Sequence, residues 1–171
     1  CIGHVERFNP QIIRLKNELK ETSVINSFST KRLNKVTPRG NDLDEILDLM
    51  IHDIDLMRFL KLGKVSEINS VSHTNTTTRI KLESGTNVEF QVSRNATEQI
   101  RCISIEVNNQ LFHINLNIKK DNLKNSDPLR LQLAAFVDAS QGKKSNIASG
   151  EDGLEALYIA NNIRRIAGLS R

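Results

Sequence analysis

The residues best suited to chemistry lie together in one segment, Asp44-Glu-Ile-Leu-Asp48-Leu-Met-Ile-His52-Asp-Ile-Asp55-Leu-Met-Arg-Phe-Leu60. At about 100° per helical residue, Asp44, Glu45, Asp48, His52 and Asp55 share a sector of roughly 100°. Apolar residues fill most of the remaining girth, with Asp53 and Arg58 the exceptions. A helix apolar over most of its circumference is buried on more than one side, so its polar stripe must face a cleft or a local network. The stripe is acidic without lysine partners, unlike a solvated face, and Asp is a poor interior helix residue. Asp48 and His52 stand at i,i+4, where a carboxylate can orient an imidazole, raise its pKa and fix its tautomer. That is a general acid/base pair in outline. The same spacing suits a satisfied structural pair that docks the helix. A metal site of Asp48, His52, Asp53 and Asp55 is a third reading, disfavoured because no second histidine joins it and Asp53 points away.

The elements around this helix follow from periodicity. Residues 1 to 8 read as a short strand closed by Asn9-Pro10, an asparagine cap with proline at the first helical position. A helix is expected to about Lys20, a strand over Ser23 to Leu33, a loop at Thr37-Pro38-Arg39-Gly40, and a long helix from Leu43 to Leu62 ended by Gly63. Strands then follow at Val65–Thr74, Thr78–Glu83, Asn87–Arg94, Gln99–Val107 and Leu111–Ile118, with turns at Ser84-Gly85 and Asn108-Asn109. Two helices close the chain. Asp127-Pro128 caps the first, with Leu129, Leu131, Leu133, Phe136 and Val137 expected inward; Ser149 and Asp152 form a capping box for the second. The expected class is α+β, one domain over residues 1–171, with a largely antiparallel sheet of about six strands and helices packed on one face. The other face of the sheet suits either solvent or an association surface.

Composition narrows the function classes. The chain has 171 residues, a net charge of +4 with basic and acidic residues interleaved, one tyrosine and no tryptophan, which argues against a nucleic-acid partner. Cys1 and Cys102 make neither a disulfide framework nor a CxxC metal site, which suits a reducing, cytoplasmic compartment. No apolar run approaches the roughly 20 residues of a membrane span, and no signal peptide is recognisable, so no membrane partner is expected. The chain opens Cys1-Ile2-Gly3-His4-Val5 without an initiator methionine, and a chain that starts inside a strand is expected to be the remainder of a longer protein.

Two motifs carry a family resemblance. Asp48-x-x-x-His52-x-x-Asp55 resembles the motif of the glucose–fructose oxidoreductase/inositol dehydrogenase (Gfo/Idh/MocA) family, and Gly3-His4-Val5-Glu6-Arg7-Phe8-Asn9-Pro10 is similar to the start of that family's C-terminal domain. The run Asp48-Leu-Met-Ile-His-Asp-Ile-Asp55 most resembles members acting on nucleotide-linked amino sugars, UDP-N-acetylglucosamine 3-dehydrogenases among them. The resemblance implies NAD(P)-dependent hydride transfer at a sugar carbon bearing a hydroxyl, with a sugar or nucleotide sugar as substrate. It implies that His52 moves the hydroxyl proton and that Asp48 orients it. It also places Arg7 and Asn9 near the mouth of the site, Arg39 against sugar or phosphate, and Asp55 bracing the substrate site. His4, His73 and His113 are expected to be structural.

The departures are as informative. The sequence contains no Gly-x-Gly-x-x-Gly after a strand, no N-terminal βαβ unit and no Glu-Lys-Pro, and Met50 stands where the family often has glycine. The chain alone is therefore expected to offer no cofactor-binding residues, to bind NAD or NADP poorly and to turn nothing over. Its expected partners are its own N-terminal Rossmann domain and further copies of itself through the sheet face. The rival reading is a non-catalytic module of the same fold that binds a sugar nucleotide or assembles oligomers.

Overall fold

Alternation of apolar and polar residues builds the sheet. In the computed structural model, which describes residues 1–36, 43–72, 76–117 and 127–169, the strands are β1 (Ile25–Leu33), β2 (Val65–Ser72), β3 (Thr77–Leu82), β4 (Asn87–Ser93), β5 (Ile100–Val107) and β6 (Gln110–Asn115). They form one six-stranded sheet in the order β2-β3-β4-β1-β5-β6. Only β1 and β4 run parallel; every other neighbouring pair is antiparallel. The hairpin turns use the expected residues. Gly85 takes φ +87° between β3 and β4, and Asn108 and Asn109 take +50° and +64° between β5 and β6, as a two-residue primed turn requires.

Each core row of the sheet crosses β1. Phe28 pairs in register with Val88 and Ile105, and Thr30 with Phe90 and Ile103. Against this face pack α1 (Pro10–Glu18), a π-helical turn (Ile46–Met50) that runs straight into α2 (Ile51–Phe59), and α4 (Gly150–Ile166). Ile12, Met50, Ile54, Met57, Ala160 and Ile163 join Phe28, Phe90, Ile103 and Ile105 in one buried cluster. The α+β architecture expected from the sequence is thus present.

Capping chemistry sets the helix starts. Asn9 accepts from the Gln11 amide with Pro10 at the first helical position, and Ser149 and Asp152 bond reciprocally at the head of α4. A Cβ at Gly153, in that first turn of α4, would lie 2.6 Å from Ile2, so a side chain there would push the N-terminal segment away.

Three expectations need correction. Residues 1 to 8 are not a strand: Ile2 makes an isolated bridge to Ala148, and Val5–Phe8 winds into a 3₁₀ turn. The reason lies in its burial, because Glu6, Arg7 and Phe8 are all buried, and a strand sends consecutive side chains to opposite faces. The long helix, in turn, begins as π helix rather than α helix through Met50. Lastly, α3 (Pro128–Ser140) turns its apolar row outward, with Leu129, Leu133, Phe136 and Val137 about half exposed while Gln132 is buried. The loop containing Arg39, along with His73 and Ile118, lies outside the described residues. Among the described residues no helix is long and apolar enough to cross a membrane.

Candidate active site

The helix that carries His52 is held by arginines from elsewhere in the chain. Arg7, in the 3₁₀ turn, forks onto Asp55 with Nη2–Oδ1 at 2.6 Å and Nε–Oδ2 at 2.9 Å. Its Nη1 reaches Asp152 at 3.1 Å. Arg32, on β1, forks onto Asp53 at 2.8 and 3.1 Å and bonds Glu6 through Nη1 at 3.1 Å. Asp53 and Asp55 are each 1 % exposed, Arg32 3 % and Arg7 4 %. Asp53 and Glu6 hold the Arg32 guanidinium proton more firmly than usual, against the opposing effect of burial.

The rest of the acidic stripe is engaged in the same way. Asp44 caps the Ile46 and Leu47 amides and takes the Arg164 Nε at 2.6 Å. Glu45 takes the Thr76 hydroxyl and the Arg94 amide, each at 2.6 Å. Asp48 takes the Arg94 Nε at 3.1 Å. The missing lysines are thus replaced by arginines of other elements, and the stripe faces a local network.

This changes the setting of several expected site residues. Asp48 makes no hydrogen bond or ion pair with His52 among the described residues, because Arg94 holds its carboxylate. Arg7 is buried and fully occupied by two carboxylates, so in this structure it is a clamp on α2 and not a free group at a mouth. Asn9 is 2 % exposed; its amide group donates to the Leu116 carbonyl and to Glu6. It does border a cleft of about 340 Å³ together with Glu6 and Arg101, but Arg7 and His52 do not line that cleft. Asp55 braces Arg7. Arg39 is not among the described residues.

His52 itself is half-buried, and its ring neighbour is His4. Their Nδ1 atoms lie 3.4 Å apart, and the rings meet edge to face with centroids 5.5 Å apart. His4 Nε2 lies 3.8 Å from Asp55 Oδ1. Burial first, then Arg32 and His4, lowers the His52 pKa, against Asp53 and Glu6. Burial also lowers the His4 pKa, aided by Arg7 and opposed by Asp55 and Asp152. Both rings are therefore held toward the neutral form, the state a proton acceptor needs. The chemistry available is proton transfer at a desolvated imidazole.

Spacing did not reveal Glu6, Arg32, Thr76, Arg94 or Arg164 as partners in this network, and His4 was expected only to be structural. Arg32 left a signal. Asp53 interrupts an otherwise apolar sector of the helix, and Arg32 shares the parity of Phe28 and Thr30 on the core face of β1. A buried acid and a buried base of matching parity call for each other. Among the described residues no group of three or more His, Cys, Asp or Glu could hold a metal ion. Nor do the described residues include a glycine-rich strand-to-helix turn.

The fold is shared with solved dehydrogenases, and the sequence is similar to part of a curated one. No family model matches the chain. UDP-N-acetylglucosamine 3-dehydrogenase from Acidithiobacillus ferrooxidans is 25 % identical over 192 residues, covering 96 % of this chain and 61 % of that enzyme. A solved structure of the same enzyme superposes with a TM-score of 0.81 at 22 % identity, covering 100 % of this chain and 64 % of its own. The WlbA dehydrogenase of Bordetella pertussis, solved with NADH and UDP-GlcNAcA, gives 0.72 at 13 % identity, covering 96 % and 61 %. The myo-inositol dehydrogenase of Lactobacillus casei, solved with NAD(H) and myo-inositol, gives 0.76 at 15 % identity, covering 98 % and 59 %. The chain therefore spans less than two thirds of the length of each.

The histidine pair makes stability depend on pH. An unfolded imidazole takes its proton near pH 6.5, whereas the folded rings take theirs at lower pH. Below about 6.5 the unfolded state binds more protons, so stability rises with pH and levels off above that value. Urea unfolding midpoints should therefore increase from about pH 5.5 to about pH 7. Replacing His4 and His52 together by asparagine should flatten that rise, and an unchanged slope in the double variant would show that other groups cause it.

Proposed function

We propose that this chain is the substrate-binding and catalytic half of an NAD(P)-dependent dehydrogenase acting on a sugar or nucleotide sugar, with a UDP-linked N-acetylamino sugar the favoured substrate. The observation that carries the reading is His52, whose ring is desolvated, held toward neutrality and unpartnered at Nε2 among the described residues. In this reading a nicotinamide, bound by a Rossmann domain outside this chain, supplies the redox chemistry. The chain's own residues handle the proton. His52 takes it from the substrate hydroxyl, and the Arg7–Asp55 and Arg32–Asp53 forks keep the helix from shifting as charge develops on the ring. Arg39, before the helix, is proposed to meet sugar or phosphate oxygens, which suit a guanidinium.

The rival reading, a non-catalytic module, has one observation in its favour: each carboxylate of the stripe already has a partner, as in a purely structural network. Localisation in a reducing cytoplasm accords with two free cysteines. Association of copies through the outer face of the sheet rests on the family resemblance and on the mix of Ser, Lys, Gln and Glu that this face presents on β1, β4 and β5.

In the complete protein, with its dinucleotide domain, His52→Asn should lower turnover by about 10² or more while leaving cofactor affinity nearly unchanged. Steady-state NADH formation and cofactor titration measure the two separately, and near-normal turnover in the variant would remove His52 from the role. Light scattering of the complete protein should give a mass above that of the monomer. A monomeric mass at working concentration would exclude the sheet-face association.

A further inference from the structure

With Asp48 committed to Arg94, some other group must set the tautomer of His52, and the nearest candidate is His4. The contact is Nδ1 to Nδ1, at 3.4 Å. When both rings are neutral, such a contact requires a proton on one Nδ1 and a lone pair on the other. For His52 to accept a proton at Nε2, its own proton must sit on Nδ1. His4 must then accept on Nδ1 and carry its proton on Nε2. That atom is buried, has no hydrogen-bond partner, and lies 3.8 Å from Asp55 Oδ1. The one tautomer assignment that frees His52 Nε2 thus also aims the otherwise unpartnered N–H of His4 at a carboxylate.

We propose that His4 is a positioning residue which, backed by Asp55, holds His52 in the tautomer whose Nε2 lone pair takes the substrate's hydroxyl proton. The inference rests on the dehydrogenase reading above and deepens it. In the proton step the substrate O–H bond breaks and a bond to His52 Nε2 forms. His52 keeps its Nδ1 proton, donated to His4, and the positive charge on the ring is met by the His4 lone pair and, beyond it, by Asp55. Both distances are long for hydrogen bonds, and catalytic contacts of this kind tighten when ligand binds. The charged groups facing the pair are Glu6 and Arg7 from the N-terminal turn, Arg32 from β1, Asp53 and Asp55 from α2, and Asp152 from α4. Arg7 and Arg32 are each matched by carboxylates, so neither opposes the imidazolium as an unpaired cation.

The test is ¹⁵N NMR of the complete protein labelled at histidine, recorded above the titration of both rings. His52 is expected as the Nδ1–H tautomer. In His4→Phe, which keeps a ring but removes the acceptor, His52 should change to Nε2–H, and kcat should fall about tenfold or more with KM little changed. His4→Asn places an amide near the lost Nδ1 and should recover most of both readouts. A wild-type His52 protonated on Nε2, or a tautomer unaffected by His4→Phe, would overturn the proposal; should that variant fail to fold, the wild-type spectrum alone decides. An Nδ1–H His52 in a complete protein that oxidises no sugar would retire the dehydrogenase reading and leave the His4 arrangement standing.

Discussion

Two buried arginine–aspartate forks, Arg7 on Asp55 and Arg32 on Asp53, fix everything near His52. Removing ions from water is costly, and a buried pair recovers that cost only with good geometry and further hydrogen bonds. Both forks meet the condition, with two parallel bonds each and a third partner on the arginine: Asp152 for Arg7 and Glu6 for Arg32. Breaking a buried pair of this kind typically costs about 3–5 kcal/mol, because the abandoned charge stays buried. The forks therefore give position more than stability. They tie the N-terminal turn and β1 to consecutive faces of α2, with His52 on the helix just before them.

The same network decides the electrostatics of the ring. Were the carboxylates free, His52 would sit in a negative field and hold its proton more tightly. With Asp44, Asp48, Asp53 and Asp55 each matched by a guanidinium and Glu45 by a hydroxyl and a backbone amide, burial is the largest influence, and it favours the neutral ring. A neutral, half-buried imidazole is a competent proton acceptor, whereas a charged one is not. Structural pairing of the acidic stripe and proton chemistry at His52 are therefore compatible. The first is a condition for the second.

Much of the fold was legible because its signals are local. Val88, Phe90 and Val92, like Ile103 and Ile105, alternate cleanly, and the turns at Gly85 and at Asn108-Asn109 carry the residues their backbones demand. The caps at Asn9 and Ser149 were legible for the same reason. What escaped depends on contacts distant in sequence. Residues 5 to 8 abandon the extended form because Asp55 and Arg32, far along the chain, draw Arg7 and Glu6 inward. Spacing alone puts Asp48 within reach of His52, yet Arg94 claims it from the end of β4. The apolar row of α3 signalled burial that the described residues do not supply. Of the candidate site, the helix and its histidine were readable, and the partners that tune the histidine were not.

The role proposed for His52 in a sugar dehydrogenase is tested most directly by NADH absorbance of the complete protein supplied with NAD and a panel of substrates. The panel needs UDP-N-acetylglucosamine, related nucleotide sugars, free sugars and inositols. NADH is expected to accumulate with a nucleotide sugar. A flat trace across the whole panel, from protein shown to bind NAD, would contradict the claim.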